Sequence, residues 1–129
     1  MRLYYRIKGE GEPVIMLHGL FGSLDNLGMI ARGLESEYQV ISFDLRNHGR
    51  SPHADHMSYD LLAEDVVGMM DALDIASAHF YGHSMGGKTA MQIALNHPDR
   101  VKSLIVGDIA PVRYGHHHKR ILEGMREVE

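Results

Sequence analysis

Short apolar runs alternate with amphipathic stretches along most of this sequence. Apolar residues dominate positions 14–17, 38–43, 77–81 and 101–107, and 3–8 is a further strand candidate. Unbroken apolar runs are typical of strands that are covered on both faces, as in a parallel sheet. Between the runs, apolar residues recur at three- and four-residue spacing, which predicts helices over residues 26–35, 59–73 and 89–96, with a final helix at 119–128. Strands that alternate with helices predict an α/β fold: a mostly parallel sheet with helices on both faces.

Local signals set the ends of these helices. Ser58 is placed to cap the second helix, and Ser23 or Asp25 the first, because their side chains accept hydrogen bonds from free backbone amides. Pro98 disfavours helical geometry in His97 and so ends the third helix. The spacing predicts two apolar stripes, formed in the first helix by Leu24, Leu27, Ile30, Ala31 and Leu34, and in the second by Leu61, Leu62, Val66, Met69, Met70 and Leu73.

Composition restricts the possible classes of function. The chain has 129 residues, 44% of them hydrophobic and 23% charged, which suits one globular domain. The net charge is −4 without a basic block, so we expect no nucleic-acid partner. Cysteine is absent, and no apolar stretch approaches the ~20 residues of a membrane span. The first residues lack the apolar core of a signal peptide, so we expect a cytoplasmic protein that does not enter a membrane.

A serine stands between glycines where the third main strand meets the third helix. The segment Gly82-His83-Ser84-Met85-Gly86 matches G-x-S-x-G, the nucleophile elbow of serine hydrolases, which holds its serine on a sharp turn between a strand and a helix. The flanking glycines occupy the two positions where a side chain would collide with a neighbouring strand or helix. The alternative interpretation is a glycine-rich turn with an incidental serine, but the strand and helix around the motif favour the elbow.

A second motif overlaps the first. Gly82, Gly87, Lys88 and Thr89 match the phosphate-binding pattern G-x-x-x-x-G-K-T. In that interpretation Lys88 reaches nucleotide phosphates and Thr89 holds magnesium, and an acid that ends another strand completes the metal site. Asp44 and Asp108 both fit that description, so the local pattern does not separate the two chemistries.

The loop after the first main strand favours hydrolysis. Ligands in parallel sheets bind beyond the carboxyl ends of the strands, where the loop at residues 18–22, His-Gly-Leu-Phe-Gly, is expected. A serine hydrolase needs two backbone donors for the oxyanion, one from the residue after the nucleophile and one from such a glycine-containing loop. Met85 and Leu20 are the candidates. His18 is expected to brace this loop by hydrogen bonds, and a nucleotide-binding protein gives the loop no function.

Four separated motifs together resemble the α/β-hydrolase superfamily, in the version found in small bacterial esterases of the YbfF type. They are HGLFGSLDNLG from residue 18, DLRNHGRS from 44, GHSMGG from 82 and DIAP from 108. The resemblance implies that Ser84 is the nucleophile, that Asp108 orients the catalytic histidine, and that the amides of Leu20 and Met85 form the oxyanion hole. It implies a small acyl ester or thioester as substrate, with no cofactor and no metal. Three further side chains receive structural roles: Asp44 and Arg46 brace the floor of the site, and His83 faces away from it.

The sequence departs from that superfamily in its length, because one-domain hydrolases of this class are about twice as long. We expect residues 1–129 to form a single domain, an α/β-hydrolase core truncated before its last strands, with a cap region beginning at about residue 116. On this view the histidine base is missing, since the run at residues 116–118 follows Asp108 too closely, and the fragment turns over little substrate. Two alternatives are a nucleotide-binding protein and a non-catalytic half-fold that self-associates through its unfinished sheet edge.

Overall fold

The computed structural model describes residues 1–20 and 22–107, and in this part of the chain strands alternate with helices. Asp108 and the final predicted helix lie outside the described residues. The strands are β1 (Tyr5–Lys8), β2 (Glu12–Leu17), β3 (Tyr38–Phe43), β4 (Ala78–His83) and β5 (Val101–Gly107), and the helices are α1 (Gly28–Leu34), α2 (Tyr59–Ala72) and α3 (Met85–Asn96). Short 3₁₀ helices, Leu24–Leu27 and Pro98–Arg100, precede α1 and β5.

One sheet contains all the described strands, in the order β1-β3-β2-β4-β5. The pairs β3–β2, β2–β4 and β4–β5 are parallel, and β1 alone runs antiparallel, against β3. The sequence prediction of a mostly parallel sheet is therefore confirmed. Because β3 and β4 lie on opposite sides of β2, the chain reverses its direction of progress across the sheet at β2, and ligands bind at such switch points.

Apolar side chains cover both faces of the sheet. Along β2, Ile15 and Leu17 belong to a large cluster with α2 and α3, while Val14 and Met16 pack in a smaller cluster on the α1 face. Alternate residues of a strand point to opposite faces, so an unbroken apolar run is what a two-sided burial requires. Among the described residues, no helix is both long enough and apolar enough to cross a bilayer.

Several of the predicted boundaries agree with the structure. Strands β3 and β5 span the predicted residues, and the Ser58 side chain accepts a hydrogen bond from the Leu61 amide at 3.2 Å, as the predicted cap of α2. Two details of the predicted stripes are wrong. Ile30 is exposed and Leu61 only partly buried, and the face of α2 that packs inward includes Asp65.

Candidate active site

Ser84 stands alone between a strand and a helix. Strand β4 ends at His83 and α3 begins at Met85, four residues before its predicted start at residue 89. The Ser84 backbone has φ +56° and ψ −111°, and its carbonyl accepts the first backbone hydrogen bond of α3 from the Lys88 amide at 3.0 Å. A non-glycine residue at positive φ is uncommon and strained. This is the sharp turn that the elbow motif predicts.

The flanking glycines allow this turn to close. A Cβ atom on Gly82 would lie 2.5 Å from the Gly87 Cα atom, at the start of α3. A Cβ atom on Gly86 would lie 2.7 Å from the His18 carbonyl oxygen and would collide with the Leu17 carbonyl at the end of β2. Both contacts are with backbone, which cannot move aside as a flexible side chain can. The predicted collisions with a neighbouring helix and strand are therefore confirmed.

The loop after β2 packs directly on this turn. A Cβ atom on Gly19 would approach the Ser84 Cβ atom to 3.5 Å and the His83 ring to 3.0 Å. The Gly22 amide donates to the Gly19 carbonyl at 3.0 Å and turns the loop back on itself. Leu20, between these glycines, is half exposed and faces the same cavity as Ser84 and Met85. Three of the four predicted site residues thus lie together, and the fourth, Asp108, is outside the described residues.

The cavity above Ser84 has a volume of about 510 Å³. Its wall is largely apolar, with three hydroxyl groups and one ammonium group, and consists of Leu20, Met57, Ser58, Tyr59, Leu62, Ser84, Met85 and Lys88. An apolar cavity with a few polar groups is the usual form of a small-molecule site. The sequence reasoning missed Met57 and Tyr59, since nothing local indicates that the loop before α2 reaches over the carboxyl end of β4.

His18 holds the loop from below. Its ring is fully buried, its Nε2 atom accepts a hydrogen bond from the Leu45 amide at 3.0 Å, and its Nδ1 atom lies 2.7 Å from the Gly19 carbonyl oxygen. The acceptor role of Nε2 makes Nδ1 the protonated nitrogen, which donates to Gly19. Burial lowers the pKa of His18, although the Gly19 carbonyl partly opposes this effect. The predicted bracing role is confirmed.

The loop after β3 is held by hydrogen bonds that its polar side chains make. The Asp44 carboxylate accepts hydrogen bonds from the Leu24 amide at 2.7 Å and the Arg50 amide at 2.9 Å. The Arg46 guanidinium donates to both carboxylate oxygens of Asp65, at 2.6 and 2.9 Å, and both side chains are largely buried. The hydrogen bonds predicted for Asp44 and Arg46 are confirmed, while their role at the floor of an active site stays a prediction. Asp65 was missed, although an acid within the apolar stripe of α2 was a signal in the sequence.

The geometry does not support the overlapping phosphate-binding motif. Thr89 is fully buried, and its hydroxyl donates to the Met85 carbonyl at 2.9 Å, so it is not available to a metal ion. Gly82 packs against the backbone of Gly86 and Gly87, which leaves no open loop between the two ends of the motif for a phosphate. The nucleotide-binding alternative fails because the turn is too tight to enclose a ligand.

Comparison with known proteins agrees with this geometry. Residues 12–126 match a family model described as alpha/beta hydrolase fold. The chain belongs to the α/β-hydrolase family. Members of this family carry their active sites at the nucleophile elbow. In this structure the corresponding place is where the ends of β2 and β4 meet the turn at Ser84.

Named relatives in this family include esterases and lipases. The chain is 49% identical over 105 residues to esterase YbfF of Escherichia coli, covering 81% of this chain and 41% of that protein. It is 40% identical over 126 residues to the sn-1-specific diacylglycerol lipase ABHD11 of Danio rerio, covering 95% of this chain and 40% of that protein. A solved structure of a marine microorganism esterase shares 56% identity at a TM-score of 0.82, covering 85% of this chain and 42% of that one. The chain thus spans about two fifths of the length of these proteins.

Proposed function

We propose that this sequence belongs to a hydrolase of carboxylic esters or thioesters that uses Ser84 as its nucleophile. The Ser84 oxygen attacks the acyl carbon, the bond to the leaving alcohol or thiol breaks, and the leaving group departs with a proton. Water then attacks the acyl-enzyme, releases the acid and restores the Ser84 hydroxyl. Esterase and lipase names among the relatives support this class of substrate.

The observation that carries the proposal is the backbone of Ser84, at φ +56° between β4 and α3. Strained residues persist where the surrounding structure over-determines them, and such residues cluster at functional sites. Here the strain places a serine against the loop of Gly19 and on the wall of a largely apolar cavity. If the serine had no function, glycine would be the expected residue at position 84, because glycine adopts positive φ without cost.

The oxyanion of the tetrahedral intermediate is assigned to the backbone amides of Leu20 and Met85. Both residues border the cavity beside Ser84, and Met85 is the first residue of α3, where free amides and the helix dipole favour negative charge. Removing one oxyanion donor typically costs about a hundredfold to a thousandfold in kcat. A backbone donor is lost only on substitution by proline, which lacks the N–H group. The positions of the two amides therefore depend on the glycines that shape the loop and the elbow.

The remaining catalytic groups are Asp108 and a histidine base. Asp108 is the residue after Gly107, which ends β5, and is assigned to orient the histidine. Both ring nitrogens of His18 are occupied by backbone, and the His83 ring lies between Gly19 and Gly107, so neither is assigned as the base. We expect residues 1–129 alone to turn over little substrate, because loss of the base can cost on the order of a millionfold in rate.

A fluorophosphonate probe tests this proposal directly in the full-length protein that carries the sequence. The probe reacts covalently with an activated serine, so we expect one label, located at Ser84 by peptide mass spectrometry. Ser84→Ala should lose both the label and the hydrolysis of para-nitrophenyl butanoate. Ser103→Ala, which removes a serine from β5 away from the cavity, is the matched control and should keep both. Labelling that persists in Ser84→Ala would refute the assignment of the nucleophile.

A further inference from the structure

Lys88 brings a positive charge to a cavity whose wall is otherwise neutral. It is the one charged side chain among the described residues that line the cavity over Ser84. Its position follows from the elbow, since the Lys88 amide donates to the Ser84 carbonyl one helical turn before it. An ammonium group therefore borders the space in which the substrate of Ser84 must bind. In the sequence, Lys88 stood out only as part of the nucleotide-binding motif.

The Lys88 ammonium group is not neutralised within the described part of the chain. No ion pair joins it to a carboxylate among residues 1–20 and 22–107, although Asp and Glu are more numerous than Lys and Arg in the whole sequence. It lies instead 5.9 Å from the centroid of the Tyr59 ring, which borders the same cavity. This contact holds the charge at the rim, where it leaves ammonium hydrogens for a ligand.

We propose that Lys88 is a specificity-determining residue that binds an anionic group of the substrate. The inference rests on the proposed ester hydrolysis at Ser84 and narrows its substrates to esters or thioesters with a carboxylate or phosphate near the scissile bond. The apolar residues Leu20, Met57 and Leu62 receive the uncharged part of such a molecule, while Lys88 pairs with its charge. Residues 1–129 carry a net charge of −4, which repels anions weakly, so a local cation matters for recognition.

The experiment measures a ratio, because a ratio separates recognition from stability. Two pairs of esters differ only in the charged group. Mono-para-nitrophenyl adipate and para-nitrophenyl hexanoate carry the difference on the acyl side, and para-butanoyloxybenzoate and para-butanoyloxybenzamide carry it on the leaving group. For each pair, the kcat/KM of the anionic ester is divided by that of its neutral partner, in the full-length protein and its variants.

We expect Lys88→Met to lower this ratio about fivefold in at least one pair, the upper range of what an exposed ion pair supplies. The effect should appear mainly in KM and should weaken in high salt. Lys88→Arg keeps the charge and should preserve most of the ratio. Lys8→Met is the matched control: it removes one exposed lysine, paired with Val40 at the opposite end of the sheet, and should leave the ratio unchanged.

The pair that responds identifies whether the anion belongs to the acyl part or to the leaving group. An unchanged ratio in both pairs overturns the role of Lys88 while leaving ester hydrolysis intact. Equal loss of activity on charged and neutral esters also overturns it, because the Lys88–Tyr59 contact would then be only structural. If the full-length protein hydrolyses none of the four esters, both proposals fail.

Discussion

Replacing Ser84 with glycine should stabilise the protein while removing its proposed nucleophile. The Ser84 backbone at φ +56° and ψ −111° lies in a region that side chains with a Cβ atom avoid. Glycine adopts such angles freely, whereas alanine keeps the Cβ atom and the strain. The comparison of Ser84→Gly with Ser84→Ala therefore isolates the backbone term, because both variants lose the same hydroxyl.

The expected difference follows from two opposing quantities. A residue held in a sparsely populated region costs about 1–3 kcal/mol, and glycine relieves this cost. Glycine also loses more conformational freedom on folding, which costs about 0.5–1 kcal/mol relative to alanine. Ser84→Gly should therefore exceed Ser84→Ala in the free energy of unfolding by about 0.5–2 kcal/mol.

Urea denaturation followed by circular dichroism measures this difference, since a change in the midpoint at constant slope reports stability. The same pair of substitutions at Ser103, within the extended strand β5, serves as the control. There glycine should be less stable than alanine by about 0.5–1 kcal/mol, because no strain is relieved. If Ser84→Gly is no more stable than Ser84→Ala, the elbow is not strained and the main support for the proposed nucleophile is lost.

Two further predictions concern the supports of the site. Gly86→Ala should cost at least about 2 kcal/mol, because its Cβ atom would collide with backbone at the end of β2, whereas Gly68→Ala, in α2 with open space around it, should stabilise by up to about 1 kcal/mol. Urea unfolding measures both, and equal effects would contradict the packing argument. His18→Gln tests the buried imidazole: burial lowers the pKa of His18, so the unfolded chain binds a proton below about pH 6.5 before the folded one does. The free energy of unfolding of the wild type should fall as the pH drops from about 6.5 towards that lowered pKa, and its difference from that of His18→Gln should narrow. A difference that stays constant between about pH 5 and 7.5 would contradict this prediction.

Much of this fold is readable from the sequence because each signal is local. Strand β5 is a mostly apolar run that ends in a glycine, and the cap at Ser58 needs only the three residues that follow it. The elbow can also be recognised from a short stretch of sequence, since the spacing of Gly82 and Gly86 around Ser84 marks the two positions that have no room for a side chain. The early start of α3 was missed because the prediction used only local signals. A pair of glycines is typical of a loop, although here Gly86 and Gly87 lie in the first turn of the helix.

The parts that escaped prediction depend on distant contacts. Arg46 and Asp65 are separated by 19 residues, and only the packing of α2 on the sheet brings them together. Met57, in the loop before α2, and Tyr59, the first residue of α2, border the cavity together with the residues of the elbow. Local spacing carries no information about such approaches, so the cavity walls, and with them substrate preference, required the structure.

The supports of the candidate site form a chain of contacts between three loops. Asp44, after β3, binds the Leu24 amide of the loop after β2, and His18, after β2, binds the Leu45 amide of the loop after β3. The loop after β2 in turn packs on the elbow through Gly19 and Gly86. Each of these contacts involves a backbone atom, so together they fix the position of the main chain. They do not involve the exposed side chains. The oxyanion donors proposed here are main-chain amides, so contacts with the backbone are enough to position them. The Leu20 side chain takes no part in these contacts, and a different residue there could suit a different substrate.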